Sequence, residues 1–239
     1  MKFTEKYKIN IHDEGFNGVV TPTGYLRYMQ DCANCHMEAD GPSYRELFDK
    51  GLAFILSRMK VVFHEPLRGH DIVEGSTWAC EGKGVSFPRC YELKRDGVLC
   101  AEGKSIWALC DVISHRLCRV DFAGLTYRTD DELDIALPRM IKPVTELEKV
   151  GDKTVVFADV DINKHMNNTV YADMFWNYVP ELDKLLPLTF DIFYKSEAKL
   201  GTKLEIFRAK SENGYFFRSV GEDGRVNAEA EFTVKNIGE

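Results

Sequence analysis

Carboxylates, amides and one imidazole crowd the run Asp159-Val160-Asp161-Ile162-Asn163-Lys164-His165-Met166-Asn167-Asn168, just ahead of a helix-like apolar stretch. Asp161, Asn163 and His165 are spaced by two, so in an extended chain their side chains point to one side and can form a single polar cluster. A histidine titrates near neutral pH, a carboxylate can act as a base towards water, and an amide can polarise a carbonyl or hold an imidazole. Those are the parts of acyl hydrolysis. Asn167 or Asn168 can cap the following helix, whose first N–H groups would then offer hydrogen bonds and a positive dipole end to an oxyanion. The plainer alternative is a set of Asx residues making turns and a cap, with His165 a solvated loop residue.

The rest of the chain must position this cluster. Its 239 residues suit one large domain or two smaller ones, and 44% hydrophobic with 29% charged residues describes an ordinary folded globular protein. A net charge of -7 argues against a nucleic-acid partner, which would need a basic surplus. The N-terminal MKFTEKYKINIHDEG has no apolar core of a signal sequence, and no run is apolar for long enough to span a membrane. A cytoplasmic protein is expected. All seven cysteines fall between Cys32 and Cys118, which points to reduced thiols. Cys32 and Cys35 form one C-x-x-C within a helix-like segment, without the second pair of a zinc site, so helix packing is the expectation and neither metal nor cofactor is implied.

Periodicity predicts a helix over Tyr25 to Met37, where Leu26, Met29, Ala33 and Met37 recur at three- and four-residue intervals. Strands follow at Ala53 to Phe63, Asp71 to Cys80, Phe87 to Lys94 and Leu99 to Leu109, rich in β-branched and aromatic residues and separated by glycines. The second half repeats this order: a helix from about Asn168 to Tyr178, then strands near Leu188 to Lys195, Lys203 to Lys210, Tyr215 to Val220 and Val226 to Val234. Local echoes support a duplication. Asp96-Gly97 recurs 127 residues on as Asp223-Gly224, Glu65-x-x-x-Gly69 recurs 132 on as Glu197-x-x-x-Gly201, and Thr23-x-Tyr25 recurs 146 on as Thr169-x-Tyr171. The fold class is therefore α+β, with two tandem units, each a long helix wrapped by an antiparallel sheet. Residues 1–125 form the first unit, 126–150 the connection, and 151–239 the second.

The run D-V-D-I-N-K-H-M-N-N-T-V-Y resembles the signature of the acyl-acyl-carrier-protein thioesterases of bacteria and plant plastids. Tyr25-Leu26-x-Tyr28-x-Gln30-Asp31, Leu56-Ser57-Arg58-Met59, Ser76-Thr77-Trp78 and Ser105-Ile106-Trp107-Ala108-Leu109-x-Asp111 are similar to that family as well, in order along the chain. The resemblance implies a pair of hotdog units and release of free fatty acid from acyl carrier protein, in some members also from coenzyme A. It implies catalytic roles for Asp161, Asn163 and His165, and for Glu197 in Tyr194-Lys195-Ser196-Glu197. Many plant relatives carry a cysteine after that glutamate, whereas this chain has Ala198 and no cysteine after Cys118. Attack by water, without a cysteine nucleophile, is the mechanism this departure leaves.

At the 146 offset Asn163 aligns with Asn17 but His165 with Val19, so one site per chain is expected, with the first unit supplying the acyl pocket. Leu26, Met29 and Met37 on the helix and Phe54 and Leu56 on a strand are its candidate walls, with Asn167 and Asn168 as further substrate-binding residues; for each apolar one taken singly, core packing is the stronger reading, since it needs no ligand. Arg45, Lys50, Arg58, Lys60 and Arg68 are the densest basic stretch and the candidate docking surface for an acidic carrier. An acyl-CoA thioesterase, a hotdog 3-hydroxyacyl dehydratase and a non-catalytic acyl-binding protein are the competing readings, and either a monomer or a homodimer suits the pseudo-dimer.

Overall fold

Val-, Ile-, Phe- and Tyr-rich segments bury one face each, and here they pair into a single antiparallel sheet of eleven strands. In a computed structural model, residues 2–120, 128–137, 140–141 and 146–237 are described. The first half runs β1 (Phe3–Lys8), α1 (Pro22–Asp40), α2 (Tyr44–Asp49), β2 (Leu52–Phe63), β3 (Ile72–Ala79), β4 (Phe87–Arg95), β5 (Val98–Asp111) and β6 (Arg116–Cys118). The second runs β7 (Glu148–Thr154), α3 (Val170–Trp176), β8 (Leu185–Tyr194), β9 (Lys203–Ser211), β10 (Gly214–Gly221) and β11 (Val226–Asn236). The spatial order is β1-β3-β4-β5-β2-β8-β11-β10-β9-β7, with β6 paired to β5. From either edge inward the equivalent strands come in the same order, so the sheet is two copies of one meander joined where β2 meets β8.

That seam runs from Arg58 opposite Phe193 to Val62 opposite Thr189. Lys60 faces Asp191 across it, and their side chains pair at 2.9 Å. The main core gathers Leu26 and Met29 of α1, Tyr171 and Phe175 of α3, and sheet residues such as Val61, Phe190, Phe217 and Phe232. Each half is thus a helix cradled by an antiparallel sheet, the hotdog arrangement.

Thr21 caps α1, its side chain accepting from the Gly24 N–H at 3.4 Å, and Pro22 occupies the first turn, where a missing N–H costs nothing. The helix therefore starts before Tyr25, and it continues to Asp40. Cys32 packs in it, donating to the Gly75 carbonyl at 3.3 Å, and all seven cysteines are free thiols. In the second unit the expected long helix is only seven residues. Pro180 disfavours helical geometry at Val179, and the chain leaves α3 through turns. Asp173 of α3 compensates by bracing α1: its Oδ1 accepts from the Thr23 N–H at 2.9 Å and its Oδ2 from Thr21 Oγ1 at 2.9 Å, while Thr23 Oγ1 donates to the Thr169 carbonyl at 2.8 Å.

Four elements lie outside the sequence expectation. β1 (FTEKYK) and β7 (EKVGDKT) are charged edge strands, where one open side tolerates lysine and glutamate and blurs alternation. The start of β7 falls within the stretch read as connection. α2 and β6 are too short to show a period. Of that stretch, residues 126–127, 138–139 and 142–145 lie outside the described residues.

Breaking the seam pair should be costly. Burial raises the Asp191 carboxyl above the ordinary carboxylate range, with Lys60 opposing the shift. Lys60→Met leaves the carboxylate without its partner and should cost about 3 kcal/mol near neutral pH. A carboxyl whose folded pKa lies above its unfolded value contributes stability that is present at low pH and is lost as pH rises through the folded pKa. The deficit of Lys60→Met should therefore shrink on acidification towards about pH 4.5, a trend that thermal melts of wild type and variant across that range would check.

Candidate active site

Residues 159–167 form a tight loop whose shape is set by its own backbone. A short 3-10 turn, Phe157–Asp159, leads in, and Val160 bridges Met166 across the loop. The Asp161 N–H donates to the His165 carbonyl at 3.0 Å and the Lys164 N–H to the Asp161 carbonyl at 2.9 Å, with Lys164 in the left-handed region at φ 65°. Asp161 Oδ1 accepts from the Asn163 N–H at 2.8 Å, so this carboxylate shapes the turn that carries the amide. His165 bridges Lys199 in the segment after β8, which brings the imidazole to Glu197: Nε2 and Oε2 stand 3.0 Å apart. The His165 side chain is 28% exposed and that of Glu197 56%, open enough for water and substrate to reach both.

The same loop exists in the first unit without its chemistry. Ile11–Asp13 is the matching 3-10 turn, Glu14 bridges Val20, Gly15 N–H donates to the Val19 carbonyl, and Gly18 holds the left-handed position at φ 72°. These pairs lie 146 residues before their counterparts, placing Val19 where His165 stands. The partner segment corrects the expected offset of 132. Val20 N–H donates to the Leu67 carbonyl as Met166 N–H does to that of Ala198, a spacing of 131, so Pro66 occupies the position of Glu197. Likewise His70, at φ 73°, and not Gly69, is the counterpart of Gly201, at φ 84°. Backbone pairing fixes this, and a side-chain match one residue away misled the sequence comparison. Both members of the histidine–glutamate pair are therefore absent from the first copy.

A cavity of about 160 Å³ opens beside the loop. Asp161, Asn163 and Asn168 line it from the second unit, and Met37, Leu47, Phe54, Phe87 and Trp107 are among its apolar walls from the first. Leu26, Met29 and Leu56 are instead buried in the main core and are not among its lining residues. Asn167 is not a lining residue either: its Oδ1 accepts from the Thr169 N–H at 2.9 Å and from Thr169 Oγ1 at 2.8 Å. Several N–H groups at the start of α3 are also engaged. Thr169 N–H meets Asn167 Oδ1, Val170 N–H the Asn167 carbonyl, and Asp173 N–H Thr23 Oγ1.

Of the basic residues of the first unit, Arg45, Lys50 and Arg68 are exposed and Arg58 and Lys60 are half-buried. Lys60 pairs with Asp191, and Arg68 Nη1 donates to the Gly18 carbonyl at 2.7 Å, whereas Arg45 and Lys50 are exposed on α2 and at its end. Sequence reading missed Tyr44, the first residue of α2, whose hydroxyl donates to Asn163 Oδ1 at 2.6 Å. Its only signal was a Ser43-x-x-Glu46 capping box, which announces a helix and not a reach into the other unit. A thiol near Glu197 is that of Cys110, which burial pushes above its ordinary value, the neighbouring Cys118, Asp111 and Glu197 adding to the shift. Among the described residues no group of three or more histidine, cysteine or carboxylate side chains could hold a metal ion.

Fold and loop together define a double-hotdog protein in which one loop carries the histidine of a histidine–carboxylate pair and an amide that lines a largely apolar cavity, His165 and Glu197 themselves not being among its lining residues. Residues 1–122 match the acyl-ACP thioesterase N-terminal domain and residues 144–235 the acyl-ACP thioesterase C-terminal domain, so the chain belongs to the acyl-ACP thioesterase family. It is 23% identical over 229 residues to a chloroplastic palmitoyl-acyl carrier protein thioesterase of Arabidopsis thaliana, a match covering 87% of this chain and 55% of that protein. The chain thus spans about half the length of this plant relative. The fold is also that of an acyl-ACP thioesterase from Bacteroides thetaiotaomicron, with a TM-score of 0.89 at 20% identity over 98% of both chains. A 12:0-ACP thioesterase from Umbellularia californica matches with a TM-score of 0.75 at 16% identity over 99% of this chain and 98% of that one.

The left-handed turn at Lys164 gives a direct check on the loop. Lys164→Gly should keep the fold and raise stability slightly, because a Cβ in this region costs roughly 1 kcal/mol, whereas Lys164→Val should destabilise by about that much or more. Thermal denaturation of the two variants would separate them, and equal melting temperatures would contradict the turn as described.

Proposed function

We propose that this protein hydrolyses the thioester of a fatty acyl group on acyl carrier protein, giving free fatty acid and the carrier thiol. The observation that carries the reading is the His165 Nε2 to Glu197 Oε2 pair at 3.0 Å, its histidine in the same loop that presents Asn163 to an apolar cavity. The family to which the chain belongs supports the substrate class.

In this reading the acyl chain occupies the cavity and the thioester carbonyl lies at its mouth. A water oxygen attacks the carbonyl carbon. With Nε2–H donated to Glu197 Oε2, the imidazole Nδ1 and the second glutamate oxygen remain as acceptors, and the pair takes the proton of the attacking water. The Asn163 amide donates to the developing oxyanion. The C–S bond then breaks, and the proton returns from the pair to the departing thiolate. Asp161 serves by holding the turn beneath Asn163. No thiol takes part: Ala198 follows Glu197, and the Cys110 thiol, raised by burial, is held protonated and is a poor nucleophile. With the Thr169, Val170 and Asp173 N–H groups engaged, Asn163, which lines the cavity from the loop of His165, is the oxyanion donor of this reading.

Incubation with acyl carrier protein charged with saturated chains of several lengths, and with the corresponding coenzyme A esters, tests the reading by free fatty acid release. Wild type should release acid; His165→Ala and Glu197→Ala should each lower kcat by at least about a hundredfold with melting temperatures unchanged. Cys110→Ala should keep activity within about twofold, and its loss would transfer the nucleophile from water to that thiol. No release from any carrier-bound or coenzyme A substrate would overturn the hydrolase reading.

A further inference from the structure

The contact between Tyr44 and Asn163 joins the two units at the point where the chemistry is placed, and its geometry specifies which end of the amide faces the substrate. Tyr44 belongs to α2, which three features hold in place. Ser43 Oγ accepts from the Glu46 N–H at 3.2 Å while Glu46 Oε2 accepts from the Ser43 N–H at 2.7 Å, closing a capping box. Leu47 is buried in a cluster with Phe87 and Leu109, and the Tyr44 ring stacks on Phe48 with centroids 6.4 Å apart. On the other side, Asn163 sits in the turn that Asp161 Oδ1 and the left-handed Lys164 define. Both partners of the contact are thus delivered by fixed backbone, and both line the cavity.

An asparagine side chain has one accepting and one donating end. The 2.6 Å separation is the length of an O–H···O bond and is short for N–H···O, which assigns the phenol as donor and Oδ1 as acceptor. Burial raises the Tyr44 hydroxyl pKa, and the Asp161 charge adds to the shift, so the phenol keeps its proton across the neutral range. With Oδ1 engaged by α2, the two N–H donors of Nδ2 point away from Tyr44.

We propose that Tyr44 is a positioning residue, contributed by the first unit, which holds the Asn163 amide with its NH2 group turned to the thioester carbonyl. This rests on Asn163 being the oxyanion donor. An unheld amide could rotate and present its carbonyl oxygen, which would repel the developing negative charge. The catalytic loop of the second unit is therefore incomplete without α2. Gly41, Pro42, Tyr44 and Leu47 also line the cavity, so the segment that receives the acyl chain is the one that orients the amide.

Tyr44→Phe tests this with the ring and its stacking kept. The expected result with acyl carrier protein substrates is a kcat lowered about tenfold, KM within twofold and an unchanged melting temperature. In an Asn163→Ala background the same substitution should have no further effect on kcat, since the group through which it acts is gone. Equal losses in both backgrounds would overturn the proposal, as would a Tyr44→Phe enzyme with unaltered kcat. A second readout needs no turnover: the Asn163 side-chain amide signals in 1H–15N spectra, identified by their loss in Asn163→Ala, should shift in Tyr44→Phe, and unmoved signals would overturn the contact itself. A wild type that hydrolyses nothing while those signals shift would remove the hydrolase reading and the amide's proposed role, leaving the Tyr44–Asn163 contact standing.

Discussion

The antiparallel ladder between β2 and β8 is the constraint on which the remaining structure depends. It turns two sheets into one, and in doing so brings the end of β8, with Ser196 and Glu197 beyond it, alongside the first unit. Five paired positions carry the seam, and a charged pair sits at its middle, Lys60 against Asp191. A one-residue slip would turn every side chain of one unit to the wrong face and would set Lys60 against an apolar partner. Register at this seam therefore fixes where the two loops and the two helices meet. Asp173 completes the coupling by supplying, from α3, the acceptors that the start of α1 lacks.

Duplication followed by divergence accounts for the asymmetry of the two loops. Both units keep the 3-10 turn, the loop bridge and the left-handed corner, because these are backbone requirements of the fold. Only the second keeps the side chains with proton chemistry. The first has Val19 and Pro66 at the matching places and has invested its loops differently: the segment after α1 forms α2, lines the cavity and reaches Asn163. A pseudo-symmetric scaffold thus carries a cavity to which both halves contribute, its apolar walls mostly from one and the polar loop from the other.

Much of this was legible in the chain itself. Alternation and turn residues located all eight strands that are long and half-buried, and the 146-residue echo correctly paired the two loops before their backbones were known. Charged edge strands such as β1 and β7 escaped because one open side relaxes the alternation that reveals a strand. Leu26, Met29 and Leu56 stand as pocket candidates in the sequence although core packing is the stronger reading for each, because an apolar side chain satisfies both, and packing places them in the core. Glu65 and Glu197 illustrate the opposite failure: identical side chains one residue out of register outweighed the hydrogen-bond pattern that defines equivalence.

What the sequence by itself determined is local: a D-x-N-x-H cluster ahead of a helix, the absence of any cysteine beyond Cys118, and two copies of a helix-and-meander pattern. Periodicity and covalent order encode these, since each depends on residues within one turn or one strand of each other. The tertiary structure alone decided that His165 meets Glu197 and that Tyr44 of one unit grips Asn163 of the other. These contacts join residues 32 to 119 positions apart, and their geometry follows from sheet register and loop closure, which no local pattern of residue types specifies.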